Sequence, residues 1–216
     1  MTLHLEVAPD AEEAARRVAA LIAERARAAR RLFALALSRT PPALLAALAA
    51  ESIPWERVRI LQVDERVAPA GHADRNLTAL LAGLPPAARF RLAPMPVEES
   101  DLEAAAARYA AGLPPLDLVH LGLGADGHTA SLLPGDPVLE VRDRLVAVTG
   151  EHGGRRRMTL TYPALEAAGE LVWLVTGEEK RPALARLLAG DPSIAAARIR
   201  HPRRLVVADR EAAPSP

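Results

Sequence analysis

The stretch 116–135, LDLVHLGLGADGHTASLLPG, constrains the fold more than any other part of the chain. Residues 116–123 are almost continuously apolar, the pattern of a strand buried on both faces of a parallel sheet. The run then breaks into Gly122, Gly124, Asp126, Gly127 and His128, a loop short of side chains that carries a carboxylate and an imidazole two residues apart. In open α/β sheets, ligands bind outside the carboxyl ends of the strands. The spacing predicts a short helix over 129–132, closed by Pro134 and Gly135, whose first N–H groups would face an anion or a developing oxyanion.

The rest of the chain repeats the same alternation. Leu3, Leu5 and Val7 suggest a half-exposed first strand, and Asp10 with Glu13 three positions on suggests a capped helix reaching about Arg30. Apolar runs at 32–37, 58–63 and 171–175 read as buried strands, with shorter ones at 145–148 and 205–208. Residues 83–96 are proline-rich and loop-like, with a short strand near 89–92, and 101–111 is helical by its alanines. The expectation is a single domain over 1–216, doubly wound α/β, with a mostly parallel sheet and helices on both faces, Rossmann-like in plan. The strands at 32–37, 58–63, 116–123 and 171–175 are expected to be neighbours.

Charge and cysteine content exclude several functions. Basic and acidic residues balance at 27 each, so nothing draws the chain as a whole to nucleic acid or an anionic membrane. Anion selectivity must therefore be local. The absence of cysteine excludes disulfides, thiol catalysis and cysteine-ligated metals. His120, Asp126 and His128 lack a recognisable metal-ligand spacing, so no metal is expected. No apolar run has the length of a bilayer span and the first residues do not read as a secretory signal, so the expected location is the cytoplasm. Gly122-x-Gly124-x-x-Gly127 spells the dinucleotide fingerprint, but Pro134 and Gly135 leave room for about two helical turns where a long helix is needed. No nucleotide cofactor is expected.

The twelve residues from Gly124 to Gly135, GADGHTASLLPG, resemble the signature of the 6-phosphogluconolactonases, which open 6-phosphoglucono-1,5-lactone in the pentose phosphate pathway. Further matches follow the family's order. Thr40-Pro41 fits the end of its Gly-Gly-Ser-Thr-Pro turn, and Asp64-Glu65-Arg66 is followed by Pro69 and Asn76. Arg157 opens the Arg-[apolar]-Thr-Leu-Thr pattern, and Gly177-x-x-Lys180 starts a late helix. One turn departs: Leu37, Ser38 and Arg39 stand where the family has Gly-Gly-Ser, so no individual phosphate contact is assigned to Ser38 or Arg39.

The resemblance implies a metal-free and cofactor-free ester hydrolase. His128 would activate water, and Asp126 would orient the loop or the imidazole. Backbone N–H groups around Gly124 to Gly127 would meet the oxyanion. Thr40, Arg66, Arg157 and Lys180 would hold phosphate, while Asp64 would bind sugar hydroxyls or position Arg66. Glu65 alternates to the other face and reads as structural. Arg155 and Arg156 read either as exposed charge or as a clamp, and His152 as a loop residue. The expected partner is a small phosphorylated lactone, with no nucleic acid or membrane, and the expected state is a monomer or small homo-oligomer. Two rivals stand beside this reading. A related aldose–ketose isomerase and deaminase usually places Asn-Glu before the Pro-Gly, where this chain has Leu132-Leu133. A sugar-phosphate sensor would normally follow a DNA-binding helix-turn-helix, whereas this chain opens on a strand.

Overall fold

A computed structural model describes residues 3–214. The signal-peptide reading of the N-terminus starts on Met1 and Thr2, and the expected polar tail ends on residues 215 and 216; these four lie outside the described residues. The elements are β1 (Leu3–Ala8), α1 (Ala11–Ala28), β2 (Phe33–Leu37), α2 (Pro42–Ala50), β3 (Val58–Gln62), β4 (Asp64–Arg66), α3 (Asn76–Gly83), α4 (Pro86–Arg89) and β5 (Leu92–Ala93). They continue with α5 (Leu102–Ala111), β6 (Leu118–Leu121), β7 (Val146–Val148), β8 (Arg157–Leu160), α6 (Tyr162–Glu166), β9 (Leu171–Val175), α7 (Arg181–Leu188) and β10 (Arg204–Asp209). Among the described residues, no helix is long and apolar enough to cross a membrane.

Seven strands form one sheet in the order β1-β10-β9-β6-β2-β3-β5, and every pairing in it is parallel. The four strands expected to be neighbours are β9, β6, β2 and β3, which are consecutive. Strand β2 shows why its sequence does not alternate. Phe33, Leu35 and Leu37 join a core with Val18, Ile22, Leu44 and Leu48 from the helices on one face. Ala34 and Ala36 join a second core with Val119, Leu160 and Tyr162 on the other. Both faces are dry, so apolar residues are needed at every position. Helix α1 starts as expected, with Asp10 Oδ1 accepting from the Glu13 N–H at 2.7 Å. It stops at Ala28, because Ala29 turns to extended backbone.

The order of strands also locates a crevice. From β2 the chain builds outward through β3 and β5; it later returns to the other side of β2 with β6, β9 and β10. The two directions part between β2 and β6, and at such a switch point the loops leaving the carboxyl ends diverge.

Three expectations need correction. The charged triplet 64–66 is strand β4 of a second, three-stranded sheet ordered β4-β8-β7, which the sequence reading did not anticipate. It exists because β8 pairs with it antiparallel across more than ninety residues of chain, a contact that no local pattern reports. The helix over 129–132 does not form. Thr129 and Ser131 are fully buried, Ala130 takes a left-handed φ of 53°, and Thr129 Oγ1 donates to the Gly122 carbonyl at 2.8 Å. The turn thus points inward side chains that a helix would have sent to solvent. Within 83–96, the predicted loop contains α4, and its short strand lies at Leu92–Ala93 rather than 89–92.

Candidate active site

A cleft of about 910 Å³ lies at the switch point, lined by the turns after β2, β6 and β9 and by the β4–β8 sheet. It gathers seven of the nine expected site residues: Thr40, Asp64, Arg66, Gly124, His128, Arg157 and Lys180. Asp126 and Gly127 do not line it but shape the loop that carries His128. Arg155 and Arg156 do not line it either. Arg155 reaches Asp74, itself a lining residue of the cleft, at 3.1 Å, and Arg156 reaches Glu103 at 3.1 Å, so each is held by a carboxylate. His152 Nε2 lies 3.0 Å from the buried Asp136 carboxylate, a loop-fastening contact.

At the rim, the His128 Nδ1 and Asp126 Oδ1 atoms are 2.6 Å apart. The same oxygen accepts the His128 backbone N–H at 3.1 Å. Burial raises the Asp126 pKa, but these two bonds and the imidazole more than offset it, leaving the carboxyl below its ordinary value. An ionised Asp126 accepts the Nδ1 proton and so leaves Nε2 as the basic nitrogen. This is the orienting arrangement of a carboxylate behind a base.

The glycines serve this geometry by their lack of side chains. A Cβ on Gly124 would come within 2.2 Å of His128 Nδ1 and 2.5 Å of Asp126 Oδ1, dislodging the pair. Gly127 has a φ of +84°, and a Cβ there would meet Ile194 at 2.4 Å. Their amides are engaged inside the loop. Gly124 N–H donates to the His128 carbonyl at 2.8 Å and Gly127 N–H to the Gly124 carbonyl at 2.9 Å. Of the oxyanion donors expected from Gly124 to Gly127, these two are therefore already engaged.

The opposite wall is cationic. Arg66 and Arg157 are direct partners in the β4–β8 ladder, a placement of like charges that costs stability unless an anion is shared. Burial first, then Arg66 and, further down, Arg39, lower the Arg157 pKa, against the opposing pull of Asp64 and Asp126. Its Nε is buried without a hydrogen-bond partner among the described residues. Lys180 follows β9 and the left-handed Gly177, in a single 3-10 turn before α7 rather than one turn into it. Its Nζ is 3.9 Å from Glu179, a loose surface pairing.

Beneath this wall lies a buried polar floor. Asp64 accepts from Ser131 Oγ at 2.8 Å, Ser38 Oγ at 3.2 Å and Asn76 Nδ2 at 3.3 Å. Asn76 Oδ1 in turn accepts from Arg66 Nη1 at 2.9 Å. Asp64 and Arg66 are thus linked through Asn76. Glu65 is fully buried, accepts the Asn76 and Leu77 N–H groups at 2.8 Å each, and lies 3.1 Å from Arg75 Nε. It caps the start of α3, in keeping with the structural reading of its alternation to the other face. Arg75, Ser131 and His120 were missed. Ser131 sits inside the signature string, yet only a tertiary contact reveals its bond to Asp64. His120 lines the cleft from β6 although it is fully buried. Desolvation pushes it down to about 4, and neither ring nitrogen has a hydrogen-bond partner among the described residues.

Comparison with known proteins adds an independent line. Residues 9–211 match the family model described as glucosamine-6-phosphate isomerases/6-phosphogluconolactonase. A 6-phosphogluconolactonase of Synechocystis sp. is 38% identical over 205 residues, covering 87% of this chain and 83% of its own. One of Nostoc sp. is 39% identical over 175 residues, covering 73% and 72%. Among solved structures, a 6-phosphogluconolactonase from Shewanella baltica superposes with a TM-score of 0.83 at 22% identity, covering 96% of this chain and 97% of that one. A monomeric glucosamine-6-phosphate deaminase reaches 0.85 at 18% identity, covering 97% and 98%. Backbone shape alone thus does not separate the two activities.

Proposed function

The chain belongs to the family of glucosamine-6-phosphate isomerases and 6-phosphogluconolactonases, and from that premise we propose that it hydrolyses 6-phosphoglucono-1,5-lactone to 6-phosphogluconate. The observation that carries the lactonase reading is one cleft lined by His128, with Asp126 behind it, and by the paired Arg66 and Arg157. An ester carbonyl needs an activated water, and the far end of this substrate carries a dianion.

In the proposed mechanism, His128 Nε2 takes a proton from water as its oxygen attacks the lactone carbonyl carbon. Asp126 stabilises the resulting imidazolium. When the tetrahedral intermediate collapses, the bond from that carbon to the ring oxygen breaks, and His128 returns the proton to the departing oxygen. The acid and the free hydroxyl are thereby produced without a metal. With the Gly124 and Gly127 amides engaged, the oxyanion is met by the positive field of the cleft. Arg157, Lys180 and Arg66 hold the phosphate, with Thr40 at the adjoining turn, and Asp64 keeps Arg66 in place through Asn76.

The deaminase alternative requires a further acid for proton transfer between sugar carbons, and Leu133 precedes Pro134 where relatives of that class carry a carboxylate. We place the enzyme in the cytoplasm, acting on a free metabolite as a monomer or small homo-oligomer. The test is acid release from freshly made 6-phosphogluconolactone with spontaneous opening subtracted. The expected result is a catalysed rate with kcat/KM well above that for unphosphorylated gluconolactone. No rate above background, together with ammonia release from glucosamine 6-phosphate, would contradict the lactonase assignment.

A further inference from the structure

We propose that Arg39 is an additional phosphate ligand of this cleft, gripping the dianion from the turn between β2 and α2. The inference rests on the lactonase reading for the identity of the phosphorylated substrate, and on the turn itself for the residue. Leu37, Ser38 and Arg39 occupy the place of the family's Gly-Gly-Ser, so the chain has put a guanidinium where the pattern has a hydroxyl.

The geometry of the turn makes Arg39 its outward-facing member. Ser38 and Thr40 on either side are buried, at 5% and 4% exposure, while Arg39 is exposed and lines the cleft. Ser38 N–H donates to the His120 carbonyl at 3.2 Å, Ser38 Oγ to Asp64 at 3.2 Å, and Thr40 Oγ1 back to the Ser38 carbonyl at 2.8 Å. Pro41 fixes the following backbone. The stem from which Arg39 projects is thus held on both sides, which reduces the entropy lost when its head group is ordered.

Arg66, Arg75 and Arg155 around the site have intramolecular partners, whereas the buried Nε of Arg157, which shares the cleft with Arg39, has none among the described residues. Arg66 donates to the Asp74 carbonyl and Asn76, Arg75 is tied to Glu65 and Glu98, and Arg155 to Asp74. Among the described residues, no ion pair or hydrogen bond holds the Arg39 guanidinium. Arg157 feels the positive charge of both Arg66 and Arg39, so the three guanidiniums share one field. The carboxylate beneath them, Asp64, is buried and already accepts from three neutral groups. A dianion entering the cleft relieves that repulsion, and a planar guanidinium can grip it with two parallel N–H bonds.

The experiment compares wild type, Arg39→Ala and Arg39→Lys with two lactones and with inorganic phosphate. Arg39→Ala should raise KM for 6-phosphogluconolactone by roughly 10- to 100-fold, the loss expected for one charge-assisted contact, with kcat within about threefold. It should leave kcat/KM for unphosphorylated gluconolactone unchanged and weaken the calorimetric Kd for inorganic phosphate in parallel. Arg39→Lys should fall between, since it keeps the charge and loses the fork. If Arg39→Ala leaves both KM and the phosphate Kd within about twofold of wild type, Arg39 is a solvated arginine and the inference is overturned. If wild type turns over no lactone but binds phosphate, and Arg39→Ala weakens that binding, the lactonase assignment fails while the anion-binding role of Arg39 stands.

Discussion

The floor and the rim of the cleft use the same residue types and are held by different physics. On the floor, Glu65 and Arg75 pair at 0% and 2% side-chain exposure, and every further oxygen contact is a hydrogen bond from a neighbouring backbone or amide group. On the rim, Asp126 and His128 pair at 52% and 31% exposure, within one five-residue loop. A buried charge pair is expensive to disrupt, because removing one partner strands the other out of water. An exposed pair contributes little to folding but remains free to exchange a proton with a ligand. The contrast separates what holds the site from what acts in it.

The largest expected effect is on the floor. Glu65→Ala should cost about 3–5 kcal/mol in chemical denaturation, since it leaves the buried Arg75 with the exposed Glu98 as its remaining ionic partner and uncaps α3. A loss no greater than that of a surface substitution would erase the distinction between the regions. Next comes His120, whose pKa of about 4 in the fold lies below the ordinary imidazole value. The unfolded chain therefore takes up the proton first. Stability from this group is fully present above about pH 6.5 and is lost as pH falls toward 4, on the order of 3 kcal/mol in all. His120→Leu should flatten that part of the stability–pH curve. A curve of unchanged slope would mean the buried imidazole is not its source.

Smaller effects belong to the walls and rim. Arg157→Ala and Lys180→Ala should each lower kcat/KM for the phosphorylated lactone by about 1.5–3 kcal/mol, mainly through KM. Unphosphorylated gluconolactone should be little affected; equal losses on both lactones would make these residues structural or catalytic instead. Asp126→Asn should change stability by less than about 1 kcal/mol at neutral pH. Because the Asp126 pKa is depressed in the fold, even that difference should vanish as the solution is acidified below about pH 4. Denaturation of the two proteins across that range would show it.

The same contrast explains what was legible in the sequence. The rim could be read because its residues are close in sequence: Gly124, Asp126 and His128 announce a loop at the end of an apolar run. The four central strands could be read because burial on both faces demands apolar residues throughout. The floor could not. Asp64 meets Ser131 across 67 positions, and β4 meets β8 across an even longer span. The helix expected at 129–132 failed for the same reason, since Thr129 and Ser131 follow tertiary partners, Trp173 Nε1 and Asp64, rather than local propensity.

The most direct test of the central claim, that His128 is the base of a lactone hydrolase, is the turnover of a folded His128→Asn protein on fresh 6-phosphogluconolactone at saturating substrate. Asparagine can hydrogen-bond a water but cannot accept its proton. The expected result is a kcat lower by about 10²–10⁴-fold, with KM for the phosphorylated lactone within a few-fold of wild type. A correctly folded His128→Asn protein with full kcat would contradict the mechanism outright.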